Sequence, residues 1–490
     1  MRTQAKKEVF QCCLQTISPL HIGTDEVYEP TGFVVDASVP RLVVVEPVDL
    51  IKSLPAEERQ HFARICAQGT IGSILEVYKF LRNRKLEGRS VAVCKDFVKH
   101  YQGTLSIPDR NERHVQQELN RFEIPRTAFQ PIDGRAYIPG SSIKGALRTA
   151  YLNLMEKEKS LSQKNKSYKG DTLQYELLDY RKIPEDPFRM VKVSDFRPVG
   201  HIPTKIIYAV NEKKKPSERA PRGQSLLMEM IAPGATFIGE IIVDRPEQNA
   251  PIHRPVTMDN LLKAAKEFYN RERNREISEL DFIGVNMRKI QLPEDVWFLR
   301  CGRHSGAESV TVEGHRNIRI MGKRGDRPKY LDHATTFWLA SEQRVPKTKD
   351  NLFPMGWAVV APLNDEMAQK CRDAEARFQQ RVAAPLKKPK LEEKKSDPSI
   401  EDTPSPKSKI IDQKKASPKE IWNSANLTWD AGSGTLTAKF KDLKATARDK
   451  NIIPEPIQAR LFKKGKKKPV IASVEVEAKG NAFIIVSIKS

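Results

Sequence analysis

The chain has 490 residues, 39% of them hydrophobic, and a net charge of +22 at pH 7. This length allows roughly two to four domains, and so large a positive charge is typical of proteins that bind a polyanion such as nucleic acid. No apolar run approaches the roughly 18 residues that a membrane helix needs, and the six cysteines form neither a CxxC pair nor a zinc-ligand pattern. The sequence therefore predicts a cytoplasmic protein without membrane contact, metal or cofactor.

Strands and helices alternate over the first 384 residues, because the hydrophobic spacing changes repeatedly between two and three to four. Strands are predicted at 9–23, 189–199 and 205–210, and hairpins at 33–47 and at 225–244, the latter turning at Pro233-Gly234. Helices are predicted at 55–69, 72–85, 138–157, 257–277 and 364–384, with Thr257 or Asp259 as the cap of the fourth. Two basic insertions, 156–170 and 211–223, are expected to be mobile loops.

The composition changes sharply near residue 385. Residues 385–420 contain ten lysines, seven acids, six prolines and five serines, and too few apolar residues to offset the entropy of ordering. Residues 421–490 regain strand patterns and hold 13 basic and 6 acidic residues, a net charge of +7. We therefore expect a disordered linker followed by a small, basic, mostly β domain.

The order strand, helix, strand, hairpin, helix and strand indicates an α+β fold built from ferredoxin-like βαββαβ units. The predicted domains are two ferredoxin-like halves with insertions, at 1–200 and 201–384, then the linker at 385–420 and the β domain at 421–490.

The stretch IPGSSIKGALRTAYL, residues 138–152, combines a turn with the start of a helix. Gly140 follows a proline and is expected to allow a positive φ, while Ser141 or Ser142 caps the helix. The free N–H groups in the first turn of a helix form a site for an anion.

The same helix carries two cations one turn apart. Lys144 and Arg148 repel each other by a few tenths of a kcal/mol unless an anion lies between them. The small Gly145 leaves room for a ligand backbone. A phosphate between the cations is one interpretation, and an ordinary capped helix with two solvated cations is the other.

Two loops add polar candidates. In SPLHIGTDEVYEP, His21 and Gly23 lie where a strand ends, and the adjacent acids Asp25 and Glu26 follow. The histidine is either a packing residue or a functional one, and the acids are either solvated or a catalytic or metal-binding pair.

The second loop, CGRHSGAES, follows a predicted strand and places a basic centre between glycines. Such a loop suits close approach of its backbone to phosphates. It lacks the spacing of a nucleoside triphosphatase loop. Its candidate residues are Gly302, Arg303, His304, Ser305 and Gly306.

Five motifs occur in an order similar to that of the RAMP superfamily, the repeat-associated subunits of CRISPR effector complexes. They are SPLHIG, IPGSSIKGALRTAYL, VSDF, PGATFIGEI, and CGRHSGAES followed by FPMGWAVV. Over about residues 8–362 the combination most resembles the fifth Csm subunit of type III-A complexes. The resemblance implies RRM-like, ferredoxin-like domains, and it leaves the last 110 or so residues outside the family pattern.

The resemblance also implies an RNA-binding surface. The turn and helix start should face the crRNA backbone, His21 and Gly23 should lie beside them, and the glycine-rich loop should be a second RNA-facing element. The implied RNA-binding residues are His21, Gly23, Gly140, Ser141, Ser142, Lys144, Gly145, Arg148, Gly302, Arg303, His304, Ser305 and Gly306. RNA would be recognised mainly through phosphate, sugar and shape.

Three functions follow as hypotheses. The first is a non-catalytic subunit that binds crRNA, caps the 3′ end of the filament, contacts neighbouring Csm backbone subunits and supports crRNA maturation in antiviral defence. The second is a ribonuclease acting on crRNA or target RNA, with His21, Asp25 or His304 as its acid–base groups. The third is a scaffold whose basic tail binds target RNA or the nucleases that trim crRNA.

Overall fold

The computed structural model describes most of the chain. The described residues are 7–82, 84–108, 112–164, 170–216, 223–287, 289–320, 327–383, 419–430, 435–440, 443–447, 453–461, 470–479 and 482–489. They form two compact units, residues 1–62 with 70–387, and residues 63–69 with 388–490. The linker predicted at 385–420 lies outside the described residues apart from its last two, which begin a strand.

Helices and strands alternate in the larger unit, so the predicted α+β class is confirmed. Its helices are α1 (Pro47–Ser53), α2 (Ala56–Gln68), α3 (Ile71–Leu81), α4 (Lys95–Leu105), α5 (Glu112–Arg121), α6 (Gly140–Lys159), α7 (Gly170–Leu178), α8 (Met258–Phe282) and α9 (Asp365–Ala383), α2 ending among residues of the smaller unit. Short 3₁₀ turns occupy Leu161–Lys164, Ile183–Glu185, Pro187–Arg189 and Glu308–Val310.

The strands of this unit come from the whole length of its sequence. They are β1 (Lys7–Thr16), β2 (Gly23–Val27), β3 (Phe33–Asp36), β4 (Arg41–Val44), β5 (Arg89–Val93), β6 (Pro125–Thr127), β7 (Val191–Val193), β8 (Arg197–Pro198), β9 (Thr204–Lys213), β10 (Leu226–Ile231), β11 (Thr236–Asp244), β12 (Trp297–Arg300), β13 (Ile318–Ile320), β14 (Lys329–Leu331), β15 (Thr336–Ser341), β16 (Phe353–Pro354) and β17 (Trp357–Pro362).

A first sheet runs in the order β12-β17-β1-β11-β7, with β8 also paired to β11. All of these pairs are antiparallel. Two helices pack on this sheet: α6, which comes after β1 and before β7 in the sequence, and α8, which comes after β11 and before β12. The apolar faces of both helices are buried in one core with the sheet. The predicted Thr257 cap of α8 is confirmed, because its hydroxyl accepts the Asn260 N–H at 3.3 Å.

A second sheet runs in the order β16-β15-β9-β5-β4-β3, with β10 also paired to β9. It forms a separate core with α3, α4 and α5. Each of the two sheets takes strands from both sides of residue 200, so neither corresponds to one continuous half of the chain.

The predicted hairpin at 225–244 is wrong. Its strands β10 and β11 belong to different sheets, because β10 pairs with β9 while β11 pairs with β1. The turn between them contains Gly234 at φ +89°, and the Gly234 N–H donates to Thr16 O at 2.7 Å. The glycine therefore turns the chain from one sheet into the other.

The two basic insertions are described only in part. Helix α6 extends through Lys159, and β9 extends through Lys213, so both insertions begin as regular structure. The predictions of mobile loops at 165–169 and 217–222 fall outside the described residues. No helix in the described ranges is long and apolar enough to cross a membrane.

The smaller unit has its own apolar core. Its elements are β18 (Lys419–Asp430), β19 (Thr435–Phe440), β20 (Leu443–Ala447), α10 (Glu455–Leu461), β21 (Val470–Lys479) and β22 (Ala482–Lys489). The five strands form a closed sheet in the order β18-β19-β20-β22-β21. Buried side chains, including Trp422, Leu427, Leu436 and Val474, fill its interior.

Candidate functional site

The helix that begins at the PGSS motif is α6, and its first N–H group is already bound. The Gly140 N–H donates to Asp195 Oδ1 at 2.8 Å, and Pro139 is the cap residue, without a side-chain hydrogen bond. The prediction of a serine cap is therefore wrong, because Ser141 and Ser142 lie inside the first turn. The carboxylate of Asp195, in the VSDF motif, occupies the positive end of the helix instead.

Gly140 is needed for packing rather than for an unusual backbone conformation. It is not among the glycines with a positive φ, contrary to the sequence prediction. A Cβ on this residue would lie 2.2 Å from Val193 O and 2.7 Å from Ser194 O. The absence of a side chain therefore allows α6 to lie directly against the backbone that follows β7.

Arg148 has an intramolecular counter-ion. Its Nη1 donates to both carboxylate oxygens of Asp186 at 3.1 and 3.0 Å, its Nε donates to Gln174 Oε1 at 2.8 Å, and its Nη2 donates to Tyr180 Oη at 3.1 Å. Asp186 thus supplies the negative charge that one interpretation of the sequence assigned to a phosphate. Neither Asp186 nor Asp195 was a sequence candidate, although VSDF was recognised as a motif.

Lys144 remains available on the same face of α6. It is half-buried, and burial lowers its pKa, with nearby Arg148 adding to the effect and Asp186 opposing it. It forms no ion pair with any residue in the described part of the chain. Gly145 is exposed, and a Cβ there would meet nothing within 4 Å, so the surface in front of the helix is open.

His21 lies in the interior, in the segment that follows β1 and precedes β2. Its ring is fully buried, and Nδ1 lies 2.7 Å from Glu229 O. A carbonyl only accepts, so Nδ1 carries the proton and donates to it. Burial lowers the His21 pKa, which favours the neutral ring with an unprotonated Nε2. That Nε2 is buried and has no hydrogen-bond partner among the described residues.

The glycine-rich loop packs directly onto His21. The Arg303 N–H donates to His21 O at 2.8 Å. Gly302 has φ +86°, and a Cβ on it would lie 2.6 Å from the same carbonyl oxygen. The glycine thus permits close approach of the protein's own backbone, a different reason from the phosphate contact that the sequence argument gave.

The other residues of the loop differ strongly in exposure. His304 stacks on Trp338 with ring centroids 4.5 Å apart, and burial, with Arg303 and His21 nearby, lowers its pKa to about 4. Ser305 is buried, and Gly306 has φ +81°. Arg303 alone among the five loop residues is exposed.

Arg303 lines a small polar cleft at the edge of the second sheet. The cleft has a volume of about 170 Å³, and its polar lining is Asn120, Arg121, Glu123, Gln224, Ser225 and Arg303. Arg121 is the last residue of α5 and pairs with Glu118 on that helix. Two exposed arginines and the Glu123 carboxylate therefore line one opening, and because Arg121 is already paired, Arg303 is the cation that could bind an anionic ligand there.

A buried ion pair supports the strand that leads into this loop. Arg300 and Glu276 are both almost fully buried, with Nη1 and Oε1 2.7 Å apart. Arg300 Nε also donates to Met355 O at 3.0 Å, and Trp357 Nε1 donates to Glu276 Oε2 at 2.5 Å. The strand that leads into the loop is therefore held by a buried ion pair and by hydrogen bonds from two buried side chains.

A second buried pair holds the end of the loop. Glu308 accepts from Lys214 Nζ at 2.6 Å and from the Ala334 N–H at 2.9 Å. Burial by itself would raise the Glu308 pKa, but the Lys214 ammonium outweighs it and brings the pKa down to about 2. The loop is thus fixed by opposite charges at both ends.

We expect this pair to make stability pH-dependent. A depressed carboxyl pKa contributes stability above the unfolded value, which is lost as the pH falls towards the folded one. Between about pH 5 and 3, urea unfolding should therefore show the wild-type chain losing about 2 kcal/mol more than Glu308→Gln. Glu267→Gln, on the exposed face of α8, should keep the wild-type dependence. If the free energy of unfolding fell equally with pH in wild type and E308Q, the assignment would be contradicted.

The structure shows direct contacts among some of the predicted residues. His21, Gly23 and the loop 302–306 form one cluster, since Gly302 and Arg303 contact His21 and a Cβ on Gly23 would lie 3.8 Å from its Nε2. The start of α6 contacts Val193, Ser194 and Asp195. RNA contact by either group stays a prediction.

The candidate acids lie outside that cluster. Asp25 is exposed on β2, with φ +60°. Glu26 is exposed as well, and its carboxylate lies 3.7 Å from Arg126 Nη1. These positions favour solvated acids over a paired catalytic site.

Two curated proteins, both named CRISPR system Cms protein Csm5, are similar to parts of this chain. That of Enterococcus italicus is 28% identical over 153 residues, which are 29% of this chain and 42% of that protein. That of Methanocaldococcus jannaschii is 45% identical over 192 residues, which are 37% of this chain and 41% of that protein. The matched part spans about two fifths of the length of each relative.

The solved structures that match this chain include a chain from the cryo-EM structure of a Csm-crRNA-target RNA ternary complex of a type III-A CRISPR-Cas system. The TM-score is 0.46, with 20% identity, over 72% of this chain and 100% of that one. The crystal structure of T. onnurineus Csm5 has a TM-score of 0.41 and 19% identity, over 71% of this chain and 99% of that one. A model of the RAMP superfamily matches residues 13–285, more than half of the 490 residues, and the chain therefore belongs to the RAMP superfamily.

Proposed function

We propose that this protein is a non-catalytic RNA-binding subunit of a type III-A Csm complex, which holds crRNA and caps the 3′ end of its filament. The observation that carries the proposal is the exposed Arg303, which stands on a loop fixed at both ends and faces a cleft shared with Arg121. Both curated relatives are CRISPR system proteins, which supports the same role.

The chemistry of the surface suits a nucleic-acid backbone. A rigid loop that presents one guanidinium loses little conformational entropy on binding a phosphate, and arginine matches phosphate geometry well. Lys144 on the open face of α6 supplies a second cation without an internal partner among the described residues. Such contacts position RNA and read its shape more than its sequence.

We further propose that the first sheet with α6 and α8 is a ferredoxin-like unit. The order β17-β1-β11-β7, with α6 after β1 and α8 after β11, supports a βαββαβ arrangement. The proposed protein partners of the whole chain are neighbouring Csm backbone subunits. Target RNA and the nucleases that trim crRNA are proposed as further partners in crRNA maturation.

The non-catalytic assignment is also a proposal, supported by the environment of the two histidines. A general acid or base must come within hydrogen-bond reach of the reacting group. His21 is fully buried and donates to Glu229 O, and His304 is stacked on Trp338.

A ribonuclease is the second candidate, because one observation favours it. The Nε2 atoms of His21 and His304 are both buried without hydrogen-bond partners in the described part of the chain. Incubation of the purified protein with labelled RNA, with and without a divalent metal, separates the two functions. Cleavage that His21→Ala and His304→Ala both abolish would establish the enzyme, and intact RNA supports the binding subunit.

The proposed function is tested by purifying the protein with the other Csm subunits and sequencing the 3′ ends of the bound RNA. A defined 3′ end that becomes heterogeneous when this subunit is omitted is the expected result. The same 3′ ends in its absence would overturn the capping role.

Lys144→Ala and Arg303→Ala are each expected to weaken crRNA retention. Each lost phosphate contact should reduce the slope of log affinity against log salt by about one. Lys157→Ala is the matched control, since Lys157 is an exposed lysine on the same helix that pairs with Glu267. Filter binding over a series of salt concentrations measures both quantities. If K144A and R303A have the same RNA affinity and the same salt dependence as K157A, Lys144 and Arg303 do not contact RNA.

A further inference from the structure

The smaller unit has a recognisable strand topology. Its five strands close in the order β18-β19-β20-β22-β21, and β18 pairs with β21. Strands β20 and β22 are parallel, every other neighbouring pair is antiparallel, and α10 lies between β20 and β21. This is the Greek-key arrangement of the OB-fold, a small closed sheet in which the second and third strands form a ligand-binding outer face.

A fold does not by itself assign a function, so the chemistry of that face decides. Along β19 the burial alternates, with Leu436 and Ala438 buried and Thr437 and Lys439 turned outward. On β20, Thr446 is likewise more exposed than the buried Ala445. The outer face is therefore polar, as a backbone-binding surface requires.

The strand register aligns residues of β18, β19 and β20 in two rows. In one row Asn426 is in register with Lys439, and Lys439 is in register with Lys444 of β20. The other row pairs Thr428 with Thr437, whose partner on β20 is Thr446. Neither row contains a carboxylate, and residues 421–490 carry a net charge of +7.

From this topology and chemistry we infer that the outer face of β18, β19 and β20 binds single-stranded nucleic acid through its backbone. The hydroxyl and amide groups donate to phosphate and sugar oxygens, and Lys439 supplies a positive charge. A curved sheet of this size holds roughly 4 to 16 nucleotides of a single strand without a strong sequence preference. The tail is thus a second nucleic-acid site, separate from the cluster around His21.

The chain offers a matched pair of variants for the test. Asn426 and Asn423 are both exposed on β18, but Asn426 is in register with Lys439, whereas the Asn423 Oδ1 accepts from Ser473 Oγ of β21 at 3.4 Å. Asn426→Glu places a carboxylate beside Lys439, and Asn423→Glu places the same group away from the face. Lys439→Gln removes the cation without adding an acid.

The full chain is photo-crosslinked to a thiouridine-labelled RNA of about 12 nucleotides, a length within the range of one such fold. Crosslinked peptides are then mapped by mass spectrometry. We expect crosslinks within 419–447 in the wild type and in N423E, and a loss of roughly three- to tenfold in N426E and K439Q, in line with one lost phosphate contact. Circular dichroism verifies that the variants remain folded.

Parallel probes identify the ligand. A thio-labelled single-stranded DNA of the same length separates recognition of RNA from recognition of either backbone, and crosslinks by either single strand support the proposal. Equal crosslinking by an RNA duplex would overturn it, because the face would then be a non-specific polyanion surface. Equal crosslinking by N426E and N423E, or the absence of crosslinks in 419–447, would also overturn it.

Discussion

Arg300→Met is expected to lower the free energy of unfolding of the larger unit by about 3 to 5 kcal/mol, the usual effect of removing one partner of a buried ion pair. The Glu276 carboxylate would keep the Trp357 Nε1 donor but would lose its 2.7 Å ion pair with Arg300, and the buried Arg273 guanidinium would remain as its nearby positive charge. A buried charge that loses its direct ion pair is costly because the protein interior screens it poorly. Urea unfolding followed by tryptophan fluorescence measures the change.

The double variant Arg300→Met with Glu276→Gln tests the cause. Glutamine is neutral and its Oε1 still accepts from Trp357 Nε1, so the buried charge is removed while that hydrogen bond stays. We expect the double variant to recover part of the stability that the single variant loses, because the buried Arg273 guanidinium loses the Glu276 carboxylate as well as the neighbouring Arg300 cation. A double variant as unstable as R300M would show that lost packing of the arginine, rather than the buried charge, dominates.

Gly140→Ala is expected to destabilise the larger unit by about 3 kcal/mol, within the range for overpacked interiors. The new Cβ would lie 2.2 Å from Val193 O and 2.7 Å from Ser194 O, both backbone atoms that cannot rotate away. Helix α6 would have to shift, and the hydrogen bond from the Gly140 N–H to Asp195 Oδ1 would lengthen.

Gly145→Ala is the matched control on the same helix. A Cβ there meets nothing within 4 Å, and alanine favours helix by about 0.5 to 1 kcal/mol over glycine, so this variant should be slightly more stable than wild type. Thermal unfolding compares the two directly. If G140A and G145A changed the midpoint of thermal unfolding equally, the close contact between Gly140 and the strand would be contradicted.

Local signals predicted the elements that depend on neighbouring residues. The period of the apolar residues predicted α6 and α8, and the local sequence limited the cap of α8 to Thr257 or Asp259, of which the structure has Thr257. The hairpin at 225–244 was mispredicted because its two strands look like a hairpin locally, while their partners β9 and β1 lie elsewhere in the chain. Sheet membership is decided by tertiary contacts that a short window does not contain.

For the candidate site, too, local sequence predicted some features and not others. The sequence identified the residue types at 138–152 and 302–306, but not their partners. Asp186 lies 38 residues from Arg148, and Glu229 lies 208 residues from His21, so neither contact has a local pattern. The stacking of His304 on Trp338 is likewise visible only in three dimensions.

Strand β1 has a consequence for how this protein is made. It lies in the centre of the first sheet, yet Lys7 pairs with Asp244 and Cys12 pairs with Pro362. A ribosome adds roughly 5 to 20 residues per second. On the order of 20 to 70 s therefore pass between the synthesis of β1 and the synthesis of β17, its last partner strand. During that time a strand with open hydrogen-bonding edges is available to other chains. The rate of translation and the supply of chaperones are therefore expected to affect the yield of this protein.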